Sequence, residues 1–187
     1  MMLLNMFTMF SIIFAGVISF EENFLLNSNL MSTTNKWRIV NDGVMGGLSS
    51  SKVIVKNDKI MFSGNVSLEN NGGFASLRSP VMDYNFEKFS GIEIKIKGDG
   101  KRYSISMKET TYFTGLFYTF TFETKKDEWI VVLILFNQLK PHYFGKKMKS
   151  GKQLTTNNVK EISLLIGDKQ EGNFTAEIDY IKLYKLN

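Results

Sequence analysis

The amino-acid sequence predicts an all-β fold, an antiparallel β-sandwich of the jelly-roll type. From Trp37 onward, apolar and polar residues alternate with a period of two, as in strands with one buried and one solvated face. Clusters of Asn, Asp and Gly separate the alternating segments and indicate tight turns between them. About nine or ten strands in ~150 residues, without an internal repeat or a convincing helical period, are typical of such a sandwich.

The predicted strands follow one another along the domain. In one of them Tyr103, Ile105 and Met107 form an apolar face, with polar residues between them. Residues 129–136 are apolar at every position, which predicts a strand in the middle of the sandwich. In chain order, strands are predicted over residues 51–55, 59–68, 74–79, 92–96, 103–107, 118–122, 129–136, 161–166 and 174–183.

The alternation changes phase within the last predicted strand. Phe174 and Ile178 share one face, whereas Ile181 continues on the other. A β-bulge near Asp179 would explain this change, and so would a strand end that is covered on both sides. We favour burial on both sides.

The composition excludes several classes of function. The chain has 187 residues, no Cys and one His, so disulfide scaffolds, thiolate zinc sites, Cys nucleophiles and multi-His metal centres are excluded. Its formal charge is +5, from 23 Lys+Arg against 18 Asp+Glu. Because nearly all the basic residues are Lys, and Arg is the residue that matches phosphates and guanine, we predict no nucleic-acid partner. Without a set of nucleophile, His and acid, we also predict that the protein is not an enzyme.

The N-terminal residues differ from the rest of the chain. Residues 1–20 carry no charged side chain and contain an apolar run, which predicts a signal peptide or membrane anchor. The protein is then exported or membrane-tethered, and it contacts the membrane only through this apolar leader. Residues 21–36 are predicted to form a polar linker, and residues 37–187 the jelly-roll domain. If translation starts at Met31 instead, the protein is cytoplasmic.

A series of segments resembles a known family, and the segments occur in that family's order. The most specific is the opening stretch WRIVNDGVMGGLSSS, residues 37–51. The others are GGFASLR at residues 72–78, GDGKRY at 98–103, the tryptophan strand from 129, IGDKQEGNF at 166–174 and IDYI at 178–181. Together they resemble the complex I intermediate-associated protein 30 family over residues 37–184.

This resemblance implies a jelly roll similar to galactose-binding domains and carbohydrate-binding modules, in agreement with the strand pattern. It also implies a non-enzymatic role, because mitochondrial members assist assembly of the respiratory NADH:ubiquinone oxidoreductase. The expected partner is therefore a protein, with respiratory-complex subunits as the first candidates. The chain has an apolar leader where those members have an Arg-rich one, and an exported carbohydrate-binding-like domain is the alternative.

The loop over residues 41–51 is the predicted binding surface. Its glycines permit positive φ and close backbone approach, so its amides could hold an anion or a partner's backbone. The alternative is a shaped connection between strands, with Met45 in the core. The predicted binding residues are Asn41, Asp42, Gly43, Met45, Gly46, Gly47 and Ser49, together with Arg78, which is expected to pair with a carboxylate.

Asp42 and Asp179 are candidate ligands of a structural Ca²⁺, a cation that prefers oxygen ligands. Jelly rolls of the carbohydrate-binding type often hold such an ion between early and late strands. The alternative is that Asp42 caps its own turn, and no other cofactor is predicted. Glu177 and Asp179 lie two apart on one predicted strand face, where the carboxyl separation of a glycosidase pair is geometrically possible, but nothing else in the sequence supports catalysis.

Two further features bear on the choice of partner. Residues 140–149 contain several lysines close to His142. Three surroundings are open for this basic patch: an acidic partner, a membrane surface, or solvent alone. A sugar platform would need aromatic residues with a polar handle. The candidates for such a platform are Tyr112, Tyr118, Trp129 and Tyr143.

Overall fold

The computed structural model describes residues 24–34, 36–112, 114–149 and 151–186. Within these residues the chain forms thirteen strands, and every strand pair is antiparallel, which confirms the predicted class. One short helix, α1, spans Ser28–Thr34. The strands are β1 (Phe24–Asn27), β2 (Arg38–Asn41), β3 (Ser50–Lys56), β4 (Lys59–Val66), β5 (Ala75–Arg78), β6 (Gly91–Lys97), β7 (Arg102–Lys108), β8 (Leu116–Glu123), β9 (Trp129–Leu135), β10 (Lys140–Tyr143), β11 (Lys146–Lys147), β12 (Glu161–Ile166) and β13 (Gly172–Tyr184).

The strands form two sheets. The six-stranded sheet has the order β3-β4-β13-β6-β9, and β1 extends it by pairing with the second half of β13. The seven-stranded sheet has the order β11-β10-β8-β7-β12-β5-β2. Strands that are distant in sequence, such as β4 and β13, are neighbours, as in a sandwich whose connections cross between sheets.

Alternate residues of both sheets form one hydrophobic core. On β6, Ile92, Ile94 and Ile96 are buried, while the charged residues between them are only partly covered. Full burial of a side chain of this size contributes about 1.5–3 kcal/mol. The period of two in the sequence therefore marks the residues that hold the two sheets together.

All nine predicted strands are confirmed, each to within two residues at either end, and residues 161–166 have the bounds of β12. The prediction that residues 129–136 lie in the middle of the sandwich is wrong. β9 lies at the edge of the six-stranded sheet, and Val131 and Leu133 are each 54% exposed. A continuous apolar run indicates a strand, but it does not reveal whether a second neighbour covers it.

The N-terminal part of the described chain differs from the expected linker. β1 pairs with β13, Leu26 is fully buried, and Met31 of α1 belongs to the core. The indole N–H of Trp37 donates a hydrogen bond of 3.2 Å to the carbonyl of Leu25. Residues 24–34 are therefore part of the folded domain, because a few apolar residues among Asn and Ser are enough to complete the sheet.

The apolar leader predicted for residues 1–20 lies outside the described residues. Among the described residues, no helix is long and apolar enough to cross a membrane.

β13 contains a β-bulge, the less favoured of the two explanations for the change of phase in its sequence. The register between β13 and β6 shifts between Ile178 and Tyr180, so Asp179 is the extra residue. The bulge moves Ile181 into the core, where it is fully buried. Burial on both sides without a bulge is thus corrected.

Candidate functional site

The loop between β2 and β3 contains most of the predicted binding residues. Asp42–Met45 form one 3-10 turn, and Gly46 ends it with a φ of 88°, a left-handed conformation that favours glycine. The backbone N–H of Asp42 donates to the carbonyl of Phe74 at 3.3 Å. The turn therefore starts inside the end of the sandwich and carries the following residues outward.

The carboxylate of Asp42 is 1% exposed and organises this loop. Its Oδ1 accepts a hydrogen bond from the Ser49 N–H at 2.9 Å, and its Oδ2 accepts from the N–H groups of Gly73 and Phe74 at 2.6 and 3.2 Å. The Ser49 hydroxyl also donates to Oδ2. Burial raises the pKa of Asp42, but these hydrogen bonds together outweigh burial, and the pKa lies below its usual value. Asp42 is therefore ionised at neutral pH and joins two loops of the fold.

Two glycines leave the space that this carboxylate occupies. A Cβ on Gly47 would overlap the Asp42 carboxyl group, and a Cβ on Gly72 would lie 2.7 Å from Oδ2. Gly43, by contrast, has no neighbouring atom within 4 Å of the position a Cβ would take. Close packing against Asp42 therefore explains why Gly47 and Gly72 occur in the two motifs.

Residues 43–48, the loop tip, present apolar side chains to solvent. Val44, Met45 and Leu48 are 73%, 63% and 56% exposed. The alternative in which Met45 fills the core is therefore corrected. Val44 and Leu48 lie on the same short tip. The sequence does not distinguish them from core residues, because an apolar residue beside a glycine occurs both in cores and on exposed loops.

The other predicted loop residues have separate roles. Asn41 Oδ1 accepts a hydrogen bond of 2.7 Å from the Ser51 hydroxyl, which fixes the start of the loop to β3. Ser49 is buried, and its hydroxyl oxygen accepts from the Ser67 N–H at 3.0 Å. Gly43 is exposed at the tip. Asp42 and Ser49 thus support the loop from inside rather than face a partner.

Arg78 lies in a different place, on the outer face of the seven-stranded sheet, and it pairs with a carboxylate as expected. Its Nη1 is 3.5 Å from Glu161 Oε1, which also lies 3.4 Å from Lys108 Nζ, while Arg38 donates to the other oxygen of Glu161. Burial lowers the pKa of Arg78, and the positive charge of Arg38 lowers it further. Glu161 raises this pKa, which nevertheless stays below its usual value. The sequence does not single out Glu161, because its three partners come from other strands.

The two predicted calcium ligands are not brought together. The hydrogen bonds around Asp42 extend to Ser67, just after the last residue of β4, whereas Asp179 bonds to Lys59, the first residue of β4. β4 has 8 residues and is about 23 Å long, so the two carboxylates lie near opposite ends of this strand. They cannot bind one ion, and the predicted shared site is corrected.

Asp179 has partners of its own. It lies 2.9 Å from the Nζ atoms of both Lys59 and Lys95, and Glu177 pairs with Lys97 at 2.7 Å. Burial raises the pKa of Asp179, but the two lysines outweigh burial and lower it. Within the described ranges, no group of three or more His, Cys, Asp or Glu side chains could hold a metal ion.

The four candidate platform aromatics are not equivalent. Tyr118 is buried, whereas Tyr112 is exposed. Tyr143 packs edge-on against Phe144, with ring centroids 4.7 Å apart. Trp129 lies on the other sheet, beneath the ammonium groups of two lysines, Lys95 and Lys97. These residues therefore do not share one surface on which a sugar chain could stack.

Comparison with known sequences identifies a family and two relatives. A family model described as Complex I intermediate-associated protein 30 matches residues 24–178, and so includes β1. An uncharacterised protein of Schizosaccharomyces pombe is 26% identical over 174 residues, which covers 81% of this chain and 78% of that protein. The mitochondrial Complex I intermediate-associated protein 30 of Mus musculus is 22% identical over 171 residues, covering 80% of this chain and 52% of the mouse protein. The chain thus spans about half the length of the mouse relative.

Comparison with solved structures gives carbohydrate-binding modules and agarases. The family 11 carbohydrate-binding module of a cellulosomal cellulase of Clostridium thermocellum has a TM-score of 0.59 and 18% identity, with 81% of this chain and 88% of the module covered. The family 11 module of that organism in complex with a β-1,3-1,4-mixed-linked tetrasaccharide has a TM-score of 0.57 and 19% identity, covering 80% and 89%. An agarase has a TM-score of 0.59 at 7% identity, over 87% of this chain and 24% of the agarase. At these identities the likeness concerns the fold alone.

Proposed function

The chain belongs to the complex I intermediate-associated protein 30 family, and from this premise we propose that it is a non-enzymatic module that binds a protein partner during assembly of a complex. The observation that carries the proposal is the exposure of Val44, Met45 and Leu48 on one loop tip. Apolar side chains grouped on a surface favour a protein partner, because contact removes them from water.

The base of the loop supports the same proposal. Asp42 binds the backbone of residues 49, 73 and 74, and Ser49 continues the hydrogen bonds to Ser67. A loop held in this way loses little conformational freedom when a partner binds, so less of the binding free energy is lost to ordering. Asp42 is then a positioning residue, and the apolar tip makes the contact.

Respiratory-complex subunits are the proposed first candidates for the partner. The mouse relative is named for complex I and for the mitochondrion. The export or membrane tethering predicted from residues 1–20 stays a prediction. The cytoplasmic alternative requires a start at Met31, and a chain that began there would lack β1 and the buried Leu26.

Co-purification from the native cell tests the proposal. The tagged full chain is compared with a variant carrying Val44→Ser and Met45→Ser, and captured respiratory-complex subunits are quantified against envelope components. Val131→Ser with Leu133→Ser is the matched control, since these residues are similarly exposed but lie on β9, at the other edge of the sheet from β3. Loss of the partner in the tip variant alone supports the proposal. Equal retention in both variants contradicts it.

Carbohydrate binding by an exported domain is the second candidate, and the fold shared with carbohydrate-binding modules favours it. Calorimetric titration of the full chain with a β-1,3-1,4-mixed-linked tetrasaccharide separates the two. Saccharide binding that survives the tip substitutions, together with no captured protein, would favour the second candidate over the first.

A further inference from the structure

We call the outer face of the seven-stranded sheet the polar groove. On this face, paired residues of neighbouring strands form rows that run perpendicular to the strands. Strand register makes residues of β2, β5, β12, β7, β8 and β10 successive neighbours, and neighbours in register point to the same face. One row consists of Arg38, Arg78, Ser163, Ser106, Thr119 and Lys140. Five intervals between strands give this row a length of about 24 Å.

The groove is concave in its middle. Ser104, Ser106 and Lys108 alternate with the core residues of β7 and so point away from the core, yet they are at most 8% exposed. Polar residues on an outer face are this well covered where neighbouring side chains curve around them. Beside them, an open cavity of about 710 Å³ is lined by residues of β8, β10 and β11 and of the turn before β10, among them Thr119, Lys140 and Lys147.

One end of the row has a surplus of positive charge. In the described part of the chain, Arg38, Arg78 and Lys108 all pair with one carboxylate, Glu161, which is 2% exposed. A single carboxylate balances one of the three cations. Partly desolvated cations in a concave site attract anions more strongly than the same cations would on a flat surface.

The other end of the row is also positive. Lys140 ends the row, and His142 and Lys147 are paired in register beside it. Between the two ends lie hydroxyl groups, with Ser106 and Thr119 bonded to each other at 2.8 Å. Hydroxyl groups both donate and accept, so they suit the amides of a peptide backbone.

The aromatic content of the groove favours a peptide over a sugar. Sugar recognition relies on open aromatic faces. The Arg78 guanidinium lies over the Phe117 ring of this face at 5.9 Å, and Phe120, which lines the cavity, packs against the core. A lone phosphate would match one end of the row but not its length.

We propose that the polar groove binds an extended acidic peptide segment of a partner, with carboxylates at Arg38, Arg78 and Lys108 on one end and at Lys140 and Lys147 on the other. An extended chain of about seven or eight residues spans this distance. The groove is a second surface, separate from the loop tip. Failure of the tip variants in co-purification therefore leaves this proposal standing.

Fluorescence anisotropy with a labelled peptide of about eight glutamates, long enough to span the row, tests the proposal on the full chain at low salt. Lys140→Glu is expected to weaken binding about tenfold, and Arg38→Gln at the opposite end to weaken it severalfold. Lys56→Glu and Lys56→Gln are the charge-matched controls, because Lys56 is exposed on β3 in the other sheet; each is expected to change affinity less than about twofold. Circular dichroism verifies that every variant is folded.

Four results would overturn the proposal. The first is that the glutamate peptide does not bind. The second is that the Lys56 controls weaken binding as much as the groove variants, which would mean that the peptide is attracted to any basic surface of the protein. Free phosphate displaces the peptide as well as unlabelled peptide does, which would mean a single-anion site. The mixed-linked tetrasaccharide binds and the groove variants abolish that binding while the glutamate peptide stays unbound, which would mean a saccharide site.

Discussion

The Oδ2 atom of Asp42 lies 2.6 Å from the backbone nitrogen of Gly73, although 31 residues separate the two in the chain. This hydrogen bond joins the loop after β2 to the turn before β5. The two motifs, which are separate in the sequence, are therefore one structural unit, and the exposed loop tip depends on it.

Asp42→Asn is expected to lower the free energy of unfolding by about 2–3 kcal/mol at neutral pH. The amide removes the charge and turns one acceptor into a donor, which would face N–H or O–H donors of Ser49, Gly73 and Phe74. Urea denaturation measures the loss. Asp58→Asn is the control, because Asp58 is exposed in a turn with φ of 54°, which Asn also adopts readily. A loss of equal size at Asp58 would contradict this account.

The stability contributed by Asp42 is expected to depend on pH in the acidic range. Its folded-state pKa lies below its usual value, so its contribution is complete above about pH 4 and is lost as the pH falls through the folded-state pKa. Glu93 and Asp179 shift in the same direction, so the wild type must be compared with Asp42→Asn. The difference in unfolding free energy should be constant above about pH 4 and shrink below it. A difference that grows on acidification would show the opposite sign of shift.

Gly47→Ala and Gly43→Ala are expected to differ although they lie in the same loop. The new Cβ at Gly47 would overlap the carboxyl group of Asp42, whereas at Gly43 it would meet no atom within 4 Å. Thermal unfolding should show a loss of about 1–3 kcal/mol for Gly47→Ala and a change within about 0.5 kcal/mol for Gly43→Ala. Similar midpoints for the two variants would mean that the loop relaxes away from Asp42.

Leu26→Ala is expected to destabilise the protein by about 3 kcal/mol, since Leu26 is fully buried where β1 meets the core. Chemical denaturation of the full chain measures the change. Leu186→Ala is the control, because Leu186 is 58% exposed and a change within about 0.5 kcal/mol is expected there. If Leu26→Ala is as mild as the control, β1 contributes little to the fold.

Glu161→Gln is expected to cost about 3 kcal/mol of stability, because the amide leaves three cations in the polar groove without a balancing charge. Glu128→Gln is the control, since its pair with Lys125 is solvent-exposed and contributes at most about 0.5 kcal/mol. Added salt should partly restore the stability of Glu161→Gln, because it screens the repulsion among Arg38, Arg78 and Lys108. No recovery with salt, together with a small initial loss, would indicate that the cations are already well solvated.

The sequence by itself determined nine of the thirteen described strands, the class of fold and the family resemblance, but it did not predict β1, β2, β10 or β11. The predicted strands are confirmed because their patterns are local properties. Every second residue of β6 or β7 must be apolar if one face is buried, and a continuous apolar run marks β9. Of the three loop glycines, Gly46 has the predicted positive φ and Gly47 the predicted close approach, whereas Gly43 has neither. These features depend on neighbours in the chain, which the sequence states directly.

The tertiary structure alone decided which residues meet across the chain. Glu161 pairs with Arg38 and Arg78, which are 123 and 83 residues away in the chain, and no local sequence pattern indicates these pairs. For the same reason the sequence could not place β9 at an edge, join β1 to the core, or separate Asp42 from Asp179. Alternation reports that a face is buried or wet, but strand order and register decide what covers it, and those are set by contacts between distant segments.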